Sequence, residues 1–122
     1  MLAYSPTETA EMLVLDNDYD TAVNIHTWAW QNTIYTPAAR IKSLRIFWRD
    51  MVGDCSEVAI ATCAMAKQVG IASKKVYGKA YMTDGTITRH AWCEFSIDGK
   101  WINFENQSEN IIRVKKIAYG EN

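Results

Sequence analysis

The chain has 122 residues, enough for a modest hydrophobic core, and its 48% hydrophobic and 22% charged residues are those of an ordinary globular protein. Its 13 basic and 14 acidic residues leave a formal charge of -1, which gives no electrostatic case for nucleic acid or an anionic membrane as partner. The 3 cysteines lack paired spacing, no basic-then-apolar leader opens the sequence, and no apolar run approaches ~18 residues; the expectation is a cytoplasmic protein of one domain, 1–122, without a disulfide framework.

Taken in order, Ser5-Pro6-Thr7-Glu8 reads as a helix start, with Ser5 as cap, Pro6 at the first helical position and Glu8 closing a capping box; the helix is expected to reach about Leu15. Asp16-Asn17-Asp18-Tyr19-Asp20 is a polar break. It lacks the spaced ligands, central glycine and closing glutamate of a calcium loop, so it reads as a solvated turn that caps the next helix. That helix is expected from Thr21 to about Ile34, with Ala22, Ile25, His26, Ala29, Trp30 and Thr33 on one stripe. His26 reads as a packed histidine rather than a ligand, and Trp28 and Trp30 as core anchors. Pro37 ends the segment. Ala38-Ala39-Arg40 begins a short helical connector in which Ile41, Leu44 and Phe47 or Trp48 keep helical spacing.

Gly53-Asp54-Cys55-Ser56-Glu57 then leads into a further helix. Cys55, Val58, Ala59, Thr62, Cys63, Ala66 and Val69 form its stripe, Asp54 or Ser56 its cap, and Gly70 its left-handed C-terminal stop. Cys55 thus falls at a helix start, where backbone N–H groups and the dipole favour a thiolate. After Gly70 the period changes from helical to alternating. Strands are expected over 75–82, 87–97 and 100–106, with a turn at Thr83-Asp84-Gly85-Thr86 and a two-residue hairpin at Asp98-Gly99. The stretch from Asn110 to Tyr119 reads as a last strand, and Gly120-Glu121-Asn122 as a frayed end.

The hairpin fixes a register. Ile97 faces Lys100, Phe95 faces Ile102, Cys93 faces Phe104 and Trp92 faces Glu105, so that Ala91, Cys93, Phe95, Ile97, Ile102 and Phe104 share an apolar face. His90, Trp92, Glu94, Trp101, Asn103 and Glu105 share the other, on which the cysteine helix is expected to pack. His90 and Glu105 become diagonal neighbours, and Asn103, opposite Glu94, is the rival partner for His90. Cysteine, histidine and carboxylate in this order are the parts of an activated thiol nucleophile. Cys63 and Cys93 fall in buried stripes and read as small apolar residues. A zinc site assembled from Cys55, Cys63, Cys93, His26 and His90 is disfavoured, because no C-x-x-C pair or tight histidine pair is present.

The ordered run Gly53-x-Cys55, Ala59, Val69-Gly70-Ile71, Val76-Tyr77-Gly78, His90-Ala91-Trp92-x-Glu94 and Asp98-Gly99-x-Trp101-x-x-x-Glu105 resembles the transglutaminase-like core of the papain-like thiol enzymes. The resemblance covers about Trp48 to Glu105. It implies an α+β fold, with N-terminal helices and a cysteine-bearing helix packed on an antiparallel sheet. It also implies Cys55 as nucleophile, His90 as base and Glu105, where the family usually has aspartate, as the orienting residue. The implied chemistry is acyl transfer or hydrolysis at amide bonds of a protein or peptide, as in proteases, deamidases or cross-linking enzymes, with no cofactor and no metal. The Cys55 backbone N–H is one oxyanion donor in this reading; Trp30, Gln31, Trp48 or a loop amide are candidates for the second, and Asn103 and Trp92 for supporting roles. Two other readings are an inactive protein- or peptide-binding module of the same fold and a thioester-forming transferase for small amines.

Overall fold

The computed structural model describes residues 6–36, 44–108 and 110–119. The expected cap at Ser5, the stop at Pro37, the connector from Ala38 through Ile41 and the frayed end from Gly120 lie outside them. In chain order the elements are α1 (Pro6–Met12), α2 (Asp18–Gln31), β1 (Ile34–Tyr35), α3 (Leu44–Asp50), β2 (Val52–Gly53), α4 (Cys55–Gln68), β3 (Ser73–Met82), β4 (Ile87–Ile97), β5 (Lys100–Ile102), a 3-10 turn (Glu105–Gln107) and β6 (Ile111–Tyr119).

Three helix boundaries differ from the periodic reading: α1 stops at Met12, short of Leu15, and both ends of α2 are displaced, each of these two for a local reason. α2 begins at Asp18 because Asn17 in the polar break is extended and accepts the Asp20 N–H, as a capping side chain does. It ends at Gln31 because Ile34 and Tyr35 leave the helix to pair in parallel with Val52 and Gly53. This short sheet, which the sequence pattern does not announce, joins the chain after α2 to the approach of Cys55.

α4 is the central element. Asp54 caps it by accepting the N–H groups of Ser56 and Glu57, and the Glu57 carboxylate returns to the Asp54 N–H, completing a capping box. At the other end Gly70 adopts φ +83°, the Ile71 N–H reaches Ala66 O and the Gly70 N–H reaches Lys67 O, a Schellman closure. One side of α4, through Val58, Ala61 and Met65, packs with Ala10, Ile25, Ala29 and Phe47 of the other helices. The other side, through Cys63 and Ala66, packs with Cys93, Phe95 and Ile97 of β4 and with Phe104. The body of α4 therefore lies on the Cys93 set of side chains and not on the set that carries His90; its first turn is what reaches His90. Lys75, buried on β3, donates from its ammonium to Ser56 Oγ and fastens that first turn to the sheet.

The large sheet runs in the order β5-β4-β3-β6, all antiparallel neighbours. At the Asp98-Gly99 hairpin both residues take positive φ, 53° and 79°, as a two-residue primed turn requires. The expected pairs Ile97–Lys100 and Phe95–Ile102 are formed. β5 nevertheless ends at Ile102 rather than near residue 106, so Cys93–Phe104 and Trp92–Glu105 are not strand pairs. Asn103 accepts the Glu105 N–H and turns the chain into the 3-10 segment.

A register shift between Tyr77 and Gly78 folds β6 closely against β3. A Cβ on Gly78 would lie 2.1 Å from Lys115 O and 2.7 Å from Trp92 Cη2. Because the first obstacle is backbone, it yields only if β6 moves. Gly78→Ala is therefore expected to destabilise the fold by about 2 kcal/mol, within the range for overpacking a close contact, as read by urea unfolding.

Candidate active site

Cys55, His90 and Glu105 come from three separate elements and meet in one line. Cys55 stands at the first position of α4, His90 on β4 and Glu105 at the start of the 3-10 turn. The Cys55 thiol hydrogen-bonds to the His90 side chain and to the Ala91 N–H. His90 Nε2 lies 2.6 Å from Glu105 Oε1, which leaves Nδ1 as the nitrogen for Cys55. Glu105 is only 2% exposed, so its charge is compensated by protein groups rather than by water.

The electrostatics favour an ion pair. Burial pushes the Cys55 thiol up, but the hydrogen bonds from His90 and Ala91 and the positive charge on His90 bring it below the ordinary thiol value, against a small opposing effect of Asp54. Burial pushes His90 down, yet its hydrogen bonds to Cys55 and Glu105 and the negative charges on both carry it up to about 9. Between these two titrations the pair is thiolate and imidazolium. The imidazole is also held by indoles. It stacks on Trp92 with ring centres 5.9 Å apart and on Trp30 at 6.4 Å, both within 23° of parallel. Aromatic faces favour a cation, so the stacking supports the charged ring as well as its orientation.

Trp92 is held in turn by Glu94, whose Oε2 accepts its Nε1–H at 3.3 Å. The expected Glu94–Asn103 pairing is replaced by this contact. Asn103 is not the partner of His90; its side chain holds the Glu105 backbone instead. Gln31 lies with Glu105, His26, Trp30, Gln107 and Ile111 around a cavity of about 380 Å³ that Cys55 does not line. Trp48 is packed against Trp28 and Phe47 in the helical core. No cluster of metal-ligating side chains occurs among the described residues. Cys63 and Cys93 are buried with their sulfurs 2.8 Å apart, and burial pushes the Cys93 thiol well up.

Three neighbours complete the surroundings of these side chains; Tyr35 and His26 were not legible as site residues, and Trp30, a candidate oxyanion donor from the sequence, is instead a ring stacked on His90. Tyr35 lies close enough to Cys55 for the thiolate charge, after burial, to raise its phenol, and its ring meets that of Trp30 at 6.0 Å, tilted by 33°. Trp30 belongs to the helical stripe of α2 and is indistinguishable there from a core anchor. His26, one turn earlier on the same stripe, faces Glu105 with Nδ1 3.6 Å from Oε2.

A cysteine at a helix start set against a histidine on an antiparallel sheet is the layout of the papain-like α+β class. The transglutaminase-like superfamily model matches residues 8–106, and the chain belongs to that superfamily. A search of curated proteins brought no match. Among solved structures, "a Putative Cysteine Protease from Cytophaga hutchinsonii" superposes with a TM-score of 0.77 at 22% identity, over 93% of this chain and 41% of that one. A "putative protease" from Parabacteroides distasonis superposes at 0.63 with 17% identity, over 79% of this chain and 22% of that one. The chain thus spans less than half the length of either, and at these identities the likeness is one of fold.

Cys55 is expected to be the one thiol alkylated by iodoacetamide under native conditions, and His90→Ala to remove its rate advantage near neutral pH. Mass mapping of the adducts checks this; equal labelling of Cys55, Cys63 and Cys93 contradicts it. Asn103→Ala is expected to cost about 1 kcal/mol of stability, a lost backbone hydrogen bond, while slowing alkylation less than Glu105→Gln does.

Proposed function

We propose that this chain is a thiol enzyme that performs acyl transfer or hydrolysis at amide bonds of a protein or peptide through Cys55, His90 and Glu105. The observation that carries this reading is the single line Cys55–His90–Glu105, in which the cysteine is drawn down and the histidine drawn up by one another. The Cys55 thiolate attacks the carbonyl carbon, and the developing oxyanion meets the Cys55 N–H at the start of α4. The imidazolium gives its proton to the departing nitrogen, leaving a thioester and a neutral His90. His90 then takes a proton from water or an amine as it attacks the thioester carbonyl; the C–S bond breaks, the acid or a new amide leaves, and the Cys55 thiolate and His90 imidazolium are restored. Glu105 stabilises the imidazolium in both half-reactions and fixes the ring so that one nitrogen stays aimed at Cys55.

The test is turnover of a panel of peptide and glutamine-side-chain amides, each with and without a primary amine. Cys55→Ala is expected to lower kcat by about a thousandfold or more and Glu105→Gln by about a hundredfold. Because the histidine must be charged to serve as acid and sits near 9, activity is expected to rise as Cys55 ionises below the usual thiol range and to fall as pH passes about 9. Turnover that survives in Cys55→Ala overturns the assignment of the nucleophile; a wild type without turnover, its thiol no more reactive than free cysteine, leaves a binding module of the same fold.

A further inference from the structure

We propose that His26 is a positioning residue for the triad, a fourth member that holds the second oxygen of Glu105 and so keeps the first on His90. The proposal rests on the Cys55–His90–Glu105 reading and extends it to a residue from another helix. His26 is buried on α2, 8% exposed, and its Nδ1 faces Glu105 Oε2 at 3.6 Å while Oε1 holds His90 Nε2 at 2.6 Å. The carboxylate thus lies between two imidazoles, one on each oxygen. At 3.6 Å the His26 contact is longer than a formed hydrogen bond, as catalytic contacts often are before substrate binds.

The chain has a physical reason to need such a residue. Glu105 is not on a strand but at the head of a 3-10 turn, with the extra side-chain torsion of a glutamate. Its backbone is set by Asn103, which fixes the Cα but not the carboxylate plane. A carboxylate held only through Oε1 is free to rotate about its last bond; a second donor at Oε2 removes that freedom. The His26 ring is itself immobilised, tilted against Phe104 at 5.9 Å, which packs on Tyr19 and Phe95. The groups that act electrostatically on His26 are Glu105 and His90. Burial lowers its affinity for a proton, Glu105 opposes this, and the His90 charge adds to it, so His26 is neutral at pH 7, where His90 is charged. A neutral ring donates Nδ1–H to Glu105 without competing for its charge, and the full carboxylate charge remains available to His90.

The experiment reads the two histidines separately by long-range 1H–15N correlation spectra over a pH series. In the wild type, His90 is expected to titrate near 9, and His26 to be a neutral ring carrying its proton on Nδ1 at pH 7. His26→Phe keeps a flat ring against Phe104 and removes the donor; it is expected to lower the His90 titration by about one unit and to slow Cys55 alkylation near neutral pH severalfold. His26→Gln restores a donor and is expected to recover most of both. A folded His26→Phe with an unchanged His90 titration overturns the proposal, as does an equal loss in His26→Phe and His26→Gln, which would mark a packing role. Should His26→Phe fail to fold, the wild-type spectrum still decides: a His26 that is charged at pH 7, or protonated on Nε2, overturns it. Failure of the triad reading looks different, since the wild-type His90 would then titrate at its ordinary value whatever stands at position 26.

Discussion

A carboxylate taken out of water costs several kcal/mol, of the order of the whole stability margin of a small domain, unless charge and hydrogen bonds replace its hydration. Glu105, 2% exposed, is such a group, and the His90 imidazolium is what replaces the water. The pairing binds more than two residues. It requires the chain after β5 to leave the sheet and turn inward, α4 to start beside β4, and α2 to cross close enough for Trp30 to stack on His90. The same contact that makes the buried glutamate tolerable makes the histidine basic, and the basic histidine makes the cysteine acidic.

The supporting structure is built around that chain of dependence. The capping box at Asp54 and Glu57 fixes where α4 begins and therefore where Cys55 stands. Lys75 ties the first turn of α4 to β3, and the short parallel pairing of Ile34–Tyr35 with Val52–Gly53 ties the preceding loop to α2. Trp92 is pressed over Gly78 and held by Glu94, so the platform under His90 is itself locked by the sheet. Small residues matter in two places for the same reason. Ala61 and Ala66 let α4 sit close to its neighbours, and Gly78 lets β6 and Trp92 approach the same point.

The cavity beside Glu105 sets this site apart from a bare triad on a surface. It lies between α2 and the segment that leads into β6, lined by Glu105 and not by Cys55. Its lining includes His26, which faces Glu105, and Trp30, which stacks on His90.

Local pattern alone determined much of this protein. The switch from helical to alternating period after Gly70 gave the α+β order, Asp54 and Gly70 marked both ends of the cysteine helix, and Asp98-Gly99 fixed the hairpin register through Ile102. Each of these is a short-range effect, set by caps, positive φ or side-chain alternation, and so is written within a few residues. The meeting of Cys55, His90 and Glu105 was anticipated from their order, but by the wrong geometry, since Glu105 reaches His90 from a turn and not as a diagonal neighbour on a strand. What ended β5 at Ile102 was Asn103 turning back to hold the Glu105 N–H, a choice that strand periodicity does not see. The placing of Trp30, Tyr35 and His26 beside the triad was decided only by the fold. On α2 they are members of an ordinary stripe or its sequel, and nothing nearby in sequence says which part of a stripe faces oil and which faces a buried carboxylate. That distinction arises when elements some 80 residues apart pack together, because the charge that gives His26 its meaning lies at Glu105, on another segment of the chain.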